Sequence, residues 1–392
     1  MRIGILTQNY KPERGAAPNR LHEMATGFQR NGTEVYVVTA MPNYPTGKIF
    51  SEYKGKFTHT EYIDNIEIKR YWLYASNSHR VLPRIFNMLS FSCISLLSWR
   101  YLRKKKLDYL IVQSPPLLVG YFGRFLAKLS KTKFIVNVSD LWPLSAKELG
   151  TIKDGWFYHF LEAIEQKMYK SANLILGQSE EIVEYVQKCG FKNTLLFRNG
   201  VTTSRFDGLA KTERHSKLRI VYAGLLGYAQ GISALCKSIN FNELGVEFHI
   251  YGQGGEQNEI KKFIENHSER GIFYHGSISP NEIPQLLINC DLTLVPLIKH
   301  IYGAVPSKIF ESMAAGLPIL FLGEGEGVKI ITDNNIGLVA GNYNQLIDNI
   351  QYLKNNPNVM VAMSQNCLKC AHKKFNRTVQ INKLHKLLRK FL

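Results

Sequence analysis

Acidic side chains almost vanish from one long stretch of this chain. Residues 80–133 hold 11 lysines and arginines against a single acid, Asp108. Cysteine is scarce too. Six in 392 residues (Cys93, Cys189, Cys236, Cys290, Cys367 and Cys370) argue against a disulfide scaffold and fit a reducing compartment. Cys367 and Cys370 form a Cys-x-x-Cys pair, but no second pair or His-x-x-His accompanies it, and a four-ligand zinc site needs two more ligands. No Gly-Lys-Ser/Thr phosphate loop occurs, and no Asp-x-Asp metal site stands out. No apolar run reaches the roughly 20 residues that a spanning helix needs. The opening Met1-Arg2-Ile3-Gly4-Ile5-Leu6-Thr7 reads as a short buried strand and not a signal peptide, so a cytoplasmic location is expected.

What is present is positive charge, +18 in all. A surplus of that size calls for an acidic partner: a phosphorylated substrate, an anionic membrane or nucleic acid. Within the basic stretch, Ile85–Trp99 reads IFNMLSFSCISLLSW, interrupted by Asn87, Ser90, Ser92, Ser95 and Ser98. Arg80 and Arg84 precede it; Arg100, Arg103 and Lys104–Lys106 follow. An interfacial helix lying on an anionic membrane fits this pattern, and a core helix with a solvated basic end is the plainer alternative. The bases interleave with aliphatics and no nucleic-acid motif appears, so no nucleic-acid partner is expected.

Strand-like runs alternate with helix-like stretches. Strands are expected at Ile3–Thr7, Val35–Thr39, Ile66–Tyr71, Tyr109–Gln113, Phe134–Val138 and Leu174–Gly177. A second series follows at Arg219–Ala223, Glu247–Tyr251, Ile272–His275, Leu292–Val295 and Pro318–Phe321. The alternation predicts α/β architecture with parallel sheets. Turn residues at Asn199–Gly208 mark the join between domains, set at 1–203 and 204–377. The tail, Ala371–Leu392, carries Phe375, Val379, Ile381, Leu384, Leu387, Leu388 and Phe391 among bases, an amphipathic helical pattern.

Two segments suit phosphate or sugar binding. The first strand runs into Tyr10-Lys11-Pro12-Glu13-Arg14-Gly15-Ala16-Ala17-Pro18-Asn19-Arg20 and then a helix, a small-residue loop that permits close backbone approach, although a plain connection reads the same way. The second is Tyr302–Ile319, YGAVPSKIFESMAAGLPI. Here Ser307 begins a helix after Pro306 and places Lys308 and Glu311 at its positive end, one to meet a diphosphate and the other to accept from ribose hydroxyls. A helix-capping arrangement with Glu311 is the competing reading.

With these segments the chain resembles the retaining nucleotide-sugar glycosyltransferases of the two-Rossmann GT-B fold, specifically the type 4 group. Further matching pieces run in order: Gly32-Thr33-Glu34-Val35, Arg198-Asn199-Gly200-Val201 with Phe206, Tyr222-Ala223-Gly224, Ile250–Gly254, His275-Gly276-Ser277 and Asn335–Val339. Within the group it looks closest to bacterial N-acetyl-L-fucosamine transferases, through Arg14–Arg20, Met41–Lys48 and Ser139-Asp140-Leu141-Trp142-Pro143. The resemblance implies two domains facing across a cleft, with a final helix (378–392) crossing back to the first. It implies Asp140, Lys308 and Glu311 as catalytic residues. Donor contacts are implied at Arg14, Gly15, Ala16, Arg198, Asn199, Gly224, Gln230, Gly276, Ser277, Pro306, Ser307 and Ile309. The implied donor is a UDP-sugar, with no metal or other cofactor required. The implied acceptor is a polyprenyl-diphosphate-linked saccharide at the cytoplasmic face of the inner membrane, in O-antigen, capsule or exopolysaccharide synthesis.

The chain also departs from that pattern. The family usually has a second glutamate eight positions before Glu311, where this chain has Gly303; Leu226 and Gln230 stand where an Arg…Lys pair is usual; and Ser139 replaces a histidine before Asp140. These departures keep open a UDP-sugar epimerase of the same architecture and a non-catalytic sugar-nucleotide or lipid-binding protein.

Overall fold

A computed structural model describes residues 1–13, 15–78, 81–213, 215–299 and 301–391. It forms two compact units: unit 1 is Met1–Arg198 with Gln380–Leu392, and unit 2 is Asn199–Val379. Both are parallel-sheet α/β units, as the alternating pattern predicts.

Among the described residues, unit 1 builds an eight-stranded sheet from β1 (Arg2–Leu6), β2 (Glu34–Ala40), β3 (Thr58–Ile63), β4 (Ile66–Tyr71), β5 (Tyr109–Ser114), β6 (Lys133–Val138), β7 (Leu174–Gly177) and β8 (Thr194–Leu196). The order is β3-β4-β2-β1-β5-β6-β7-β8, parallel except for the β3–β4 pair. The central strand β5 is buried along its whole length, as a strand covered on both faces must be. Its helices are α1 (Ala16–Arg30), α2 (Val81–Ser95), α3 (Trp99–Lys104), α4 (Leu117–Ser130), α5 (Leu144–Glu148), α6 (Trp156–Lys170) and α7 (Glu180–Lys188). Alternate strand residues point to opposite faces. Ile3, Ile5, Val35, Val37 and Ile111 meet Leu21, Met24 and Phe28 of α1. On the other face Gly123 of α4 sits against Val112, and Gly120 against Met168 of α6.

Unit 2 has β9 (Leu218–Ala223), β10 (Val246–Tyr251), β11 (Ile272–Tyr274), β12 (Leu292–Leu297), β13 (Ile319–Gly323) and β14 (Gly337–Ala340), all parallel in the order β11-β10-β9-β12-β13-β14. Its helices are α8 (Ile232–Ser238), α9 (Gln257–Asn266), α10 (Ile283–Asn289), α11 (Lys308–Ala314), α12 (Glu326–Asp333), α13 (Tyr343–Asn355) and α14 (Pro357–Lys373). The chain enters and leaves this unit at one place. The Val201 N–H donates to Phe375 O (2.9 Å) and the Arg377 N–H to Val201 O (2.9 Å). The Arg377 side chain adds bonds to Asn199 O (2.8 Å) and Gly200 O (2.9 Å).

Two expectations need correction. The tail is not one helix: α14 ends at Lys373 and α15 (Arg377–Lys390) begins after a break. Phe375 lies in that break and packs on Phe310 in the core of unit 2, while Ile381, Leu384 and Leu388 pack in unit 1. Ile381 fits against Gly27, where an added Cβ would lie 2.9 Å from it. The run Ile85–Trp99 is also not one helix, since a short 3-10 turn at Leu96–Ser98 separates α2 from α3. Asn87, Ser92, Ser95 and Ser98 are its buried face. Ser92 donates to Met88 O and Ser95 to Ser92 O, and Asn87 accepts from Gln8 and donates to Tyr74 O (2.8 Å), which lets these polar residues pack inward; the Ser98 hydroxyl is buried without a partner.

Candidate active site

In unit 1 the chemistry-bearing residues gather at the carboxyl ends of the strands, where open α/β sheets leave room for ligands. The loop after β1 is held from below by a buried carboxylate. Glu13, 2% exposed, accepts from the backbone N–H groups of Tyr10 (3.1 Å), Asn43 (2.8 Å) and Tyr44 (2.9 Å). Burial pushes its pKa up, and the three N–H donors pull it back. The fully buried Arg70 braces the same loop, donating to Lys11 O and Ala40 O while pairing with Glu61. The loop ends at Gly15, whose φ of 156° disfavours a side chain, and α1 starts without a side-chain cap or an acid in its first turn. Gly15 and Ala16 thus open α1 on a braced loop. Arg14 lies outside the described residues.

Asp140 follows β6. It accepts from the Ser145 hydroxyl (3.1 Å) and the Leu141 N–H, and burial raises its pKa above the usual carboxylate range. Ser145 belongs to α5, whose own cap position is Pro143. Beside it, Gln113 donates to Ser139 Oγ (2.7 Å) and accepts from Asn137 Nδ2 (2.7 Å) and Arg20 (3.1 Å), tying β5, β6 and α1 together. Arg198 is paired with Glu180 (2.9 Å).

In unit 2, Lys308 is the first residue of α11. Its side chain crosses Gly224 at the end of β9: a Cβ there would lie 2.2 Å from Lys308 Cε and 2.4 Å from Nζ. The ammonium sits 5.1 Å from the Tyr222 ring centroid. Desolvation pushes its pKa down, and Glu311 pulls it up. Glu311 pairs with Arg205 (3.5 Å), and Ser307 makes no side-chain cap, so the capping reading of Glu311 does not hold. At seven residues α11 is short, so positive charge at this end comes chiefly from side chains, Lys308 and Arg205. Glycines stand at successive strand ends: Gly224, Gly252, Gly276 and Gly323, each at positive φ. Gly252 must be glycine, since a Cβ would fall 1.8 Å from Gly224 O. Gly276 has open space above it, and Ser277 is exposed. A cavity of about 160 Å³ opens farther along this edge, lined by Leu297, Ile298, Leu322, Gly323, Glu324 and Gly341.

The structure therefore brings Gly224, Pro306, Ser307, Lys308 and Glu311 to one end of unit 2, and Gly15, Ala16 and Asp140 to the strand ends of unit 1. It moves others away from ligand contact. Ile309 is wholly buried in the core, which leaves only its backbone for binding. Asn199 spends its carbonyl and side-chain oxygens on Arg377, closing unit 2. Gln230 folds back inside its loop: its N–H donates to Gly227 O (3.0 Å), and its Oε1 lies 2.8 Å from where a Gly227 Cβ would be. Leu226 is fully buried, so the position where a cation is usual faces the core. The Cys367–Cys370 pair is also core, its thiols pushed up in pKa by burial. Sequence reading missed Glu13, Arg70, Tyr222 and Arg205. An isolated acid next to Pro12 is the only local signal for the first; the partners of the others are remote in the chain.

Comparison with known proteins agrees with this layout. Residues 15–200 match the family model "Glycosyl transferase 4-like domain", and residues 208–369 match "Glycosyl transferases group 1". WcaI of Escherichia coli (strain K12), provisionally assigned as a colanic acid biosynthesis glycosyl transferase, is 25% identical over 334 residues, covering 81% of this chain and 82% of its own. Among solved structures, sucrose-phosphate synthase from Thermosynechococcus elongatus superposes with a TM-score of 0.77 at 14% identity, over 100% of this chain and 98% of its own. Anabaena HepE, solved with UDP and glucose, superposes at 0.69 and 13%, over the whole of both chains. At such identities these two likenesses concern the fold.

Proposed function

From the premise that the chain belongs to the group 1 glycosyltransferases and carries a 4-like first domain, we propose that it moves a sugar from a UDP-sugar to a polyprenyl-diphosphate-linked saccharide. The reading places it in bacterial O-antigen, capsule or exopolysaccharide synthesis, peripheral on the cytoplasmic face of the inner membrane. The WcaI likeness supports the polysaccharide context, and HepE's UDP supports the donor class. N-acetyl-L-fucosamine or a related N-acetylated hexose is the proposed sugar, and turnover is proposed to need no metal.

The observation that carries the reading is Lys308 laid across Gly224 at the start of α11, with Glu311 one turn on. Retention follows from front-face displacement. The bond from the anomeric carbon to the UDP oxygen breaks as the acceptor oxygen bonds to the same face, and the acceptor proton passes to the departing phosphate. Lys308 stabilises the charge that develops on that phosphate. In the free protein desolvation disfavours the ammonium. A bound diphosphate would favour the charged form again and so oppose the desolvation. Asp140, at the end of β6 and bonded to Ser145, is proposed to contact the acceptor hydroxyl.

A panel of UDP-sugars with a polyprenyl-diphosphate saccharide, with and without chelator and read by mass spectrometry, tests this. One donor should turn over with its anomeric configuration kept, and Lys308→Ala should abolish most of that turnover. UDP binding without turnover of any donor would favour the non-catalytic alternative.

A further inference from the structure

A group of exposed apolar side chains of unit 1 lies on or beside the packed helices α2, α4 and α6. Helix α2 buries Asn87, Ser92 and Ser95 together with Phe91, while Phe86 (59% exposed), Cys93 and, just past its end, Leu97 (56% exposed) point outward at spacings of seven and four residues. Such spacings keep side chains on one face. Helix α4, which packs against both α2 and α6, exposes Phe125 and Leu129. The start of α6 exposes Trp156, Phe157 and Phe160, with Trp156 at 81% the most exposed large apolar side chain described. The basic segment before α6 is exposed as well: Arg100, Arg103 and Lys104 lie on α3, which packs on α4, and Lys128 and Lys131 lie at the end of α4 beside Phe125 and Leu129. The acids nearby are occupied: Asp108 accepts from the Arg2 N–H, Asp154 pairs with Lys147 and Glu162 with His159.

We propose that this layer docks on an anionic phospholipid bilayer, with Trp156, Phe157 and Phe160 as the inserted wedge and the bases meeting headgroups. The proposal rests on the membrane-peripheral reading above and deepens it by naming a contact outside the basic segment. Exposed aromatic rings and exposed bases on one group of packed helices suit the two layers of a bilayer interface, apolar below and anionic above. A second copy of the chain is a poorer occupant, because it would press the same unpaired bases against themselves. The wedge also lies just downstream of Asp140, whose partner Ser145 sits on α5, so the same stretch of chain would hold lipid and meet a lipid-linked acceptor.

The full-length protein should be co-sedimented with phosphatidylglycerol-containing and phosphatidylcholine-only vesicles at about 0.1 M and 1 M salt. Wild type should bind the anionic vesicles, keeping a salt-resistant fraction. W156S/F157S/F160S, substituted at exposed sites, should keep UDP affinity but lose that fraction by about tenfold or more. Brominated lipid should quench wild-type tryptophan emission, and Trp156→Phe should remove most of the quenching. If wild type binds but the triple variant binds as well at high salt, and quenching survives in Trp156→Phe, the wedge is refuted while the membrane reading stands. If wild type ignores anionic vesicles, both fall.

Discussion

Replacing Gly224 by alanine tests whether the position of Lys308, and not only its charge, drives turnover. The new Cβ would overlap Lys308 Cε at 2.2 Å and Nζ at 2.4 Å, well inside contact distance. The ammonium is the flexible end of its side chain, so the lysine yields and leaves the β9 end. At φ 158° an alanine is also strained, at roughly 1–3 kcal/mol, against a domain stability of about 5–15 kcal/mol. Unit 2 therefore stays folded. Losing one fixed positive group from a leaving phosphate lowers kcat by about 10²–10³-fold. Gly224→Ala should show a loss of that order, Lys308→Ala a similar one, and the double variant little more than either. The measurements are kcat under saturating donor and acceptor, with UDP affinity by calorimetry and thermal unfolding as controls. Near-wild-type turnover in Gly224→Ala, or losses that multiply in the double variant, would refute the placement of Lys308.

Three further outcomes follow from buried groups. Glu165, 1% exposed between the hydroxyls of Tyr169 (2.7 Å) and Tyr185 (3.2 Å), has its pKa raised by desolvation from 4.5 to about 8. The folded state holds this proton more tightly, so the associated stability is complete below pH 4.5 and is lost as pH rises to about 8. The loss is about 5 kcal/mol at most. Glu165→Gln should flatten the fall in melting temperature across that window; parallel profiles would contradict the assignment. Glu13→Ala removes the shared acceptor of three backbone donors and should cost about 3–5 kcal/mol by urea unfolding, whereas a change under 1 kcal/mol would mean that the loop stands without it. Ile381→Ala should destabilise unit 1 by about 2–5 kcal/mol and leave UDP affinity unchanged; a loss of UDP affinity in a folded variant would place α15 in a different role.

The central strands were legible because burial on both faces writes itself as consecutive apolar residues, as in Tyr109, Leu110, Ile111 and Val112 of β5 and Phe134, Ile135 and Val136 of β6. Strand β3 was not, because on the sheet edge its residues alternate between exposed and half-buried and resemble a loop. β8 has three residues, too few for any period. Lys308 and Glu311 were legible because one helix turn holds both. The bracing of the first loop was not, because Glu13 reaches 30 residues to Asn43 and Arg70 reaches 59 to Lys11. The outward face of α2 was half legible: composition marked a basic, apolar stretch open to an interfacial or a core reading, but which side is buried depended on α4, which packs against it.

The lacing of Val201 to Phe375 and Arg377 makes unit 2 an interruption in the chain of unit 1. Synthesis then has an order that folding must respect. At roughly 5–20 residues per second, translating unit 2 takes on the order of ten seconds or more after Arg198 has emerged. Throughout that interval α1 lacks Ile381, Leu384 and Leu388, so an apolar seam beside Gly27 stays open. A chain cut before α15 leaves that seam unclosed, whereas Phe375 and Arg377, which close unit 2, are already in place. Residues 380–391 thus complete unit 1 only after the whole of unit 2 has been synthesised.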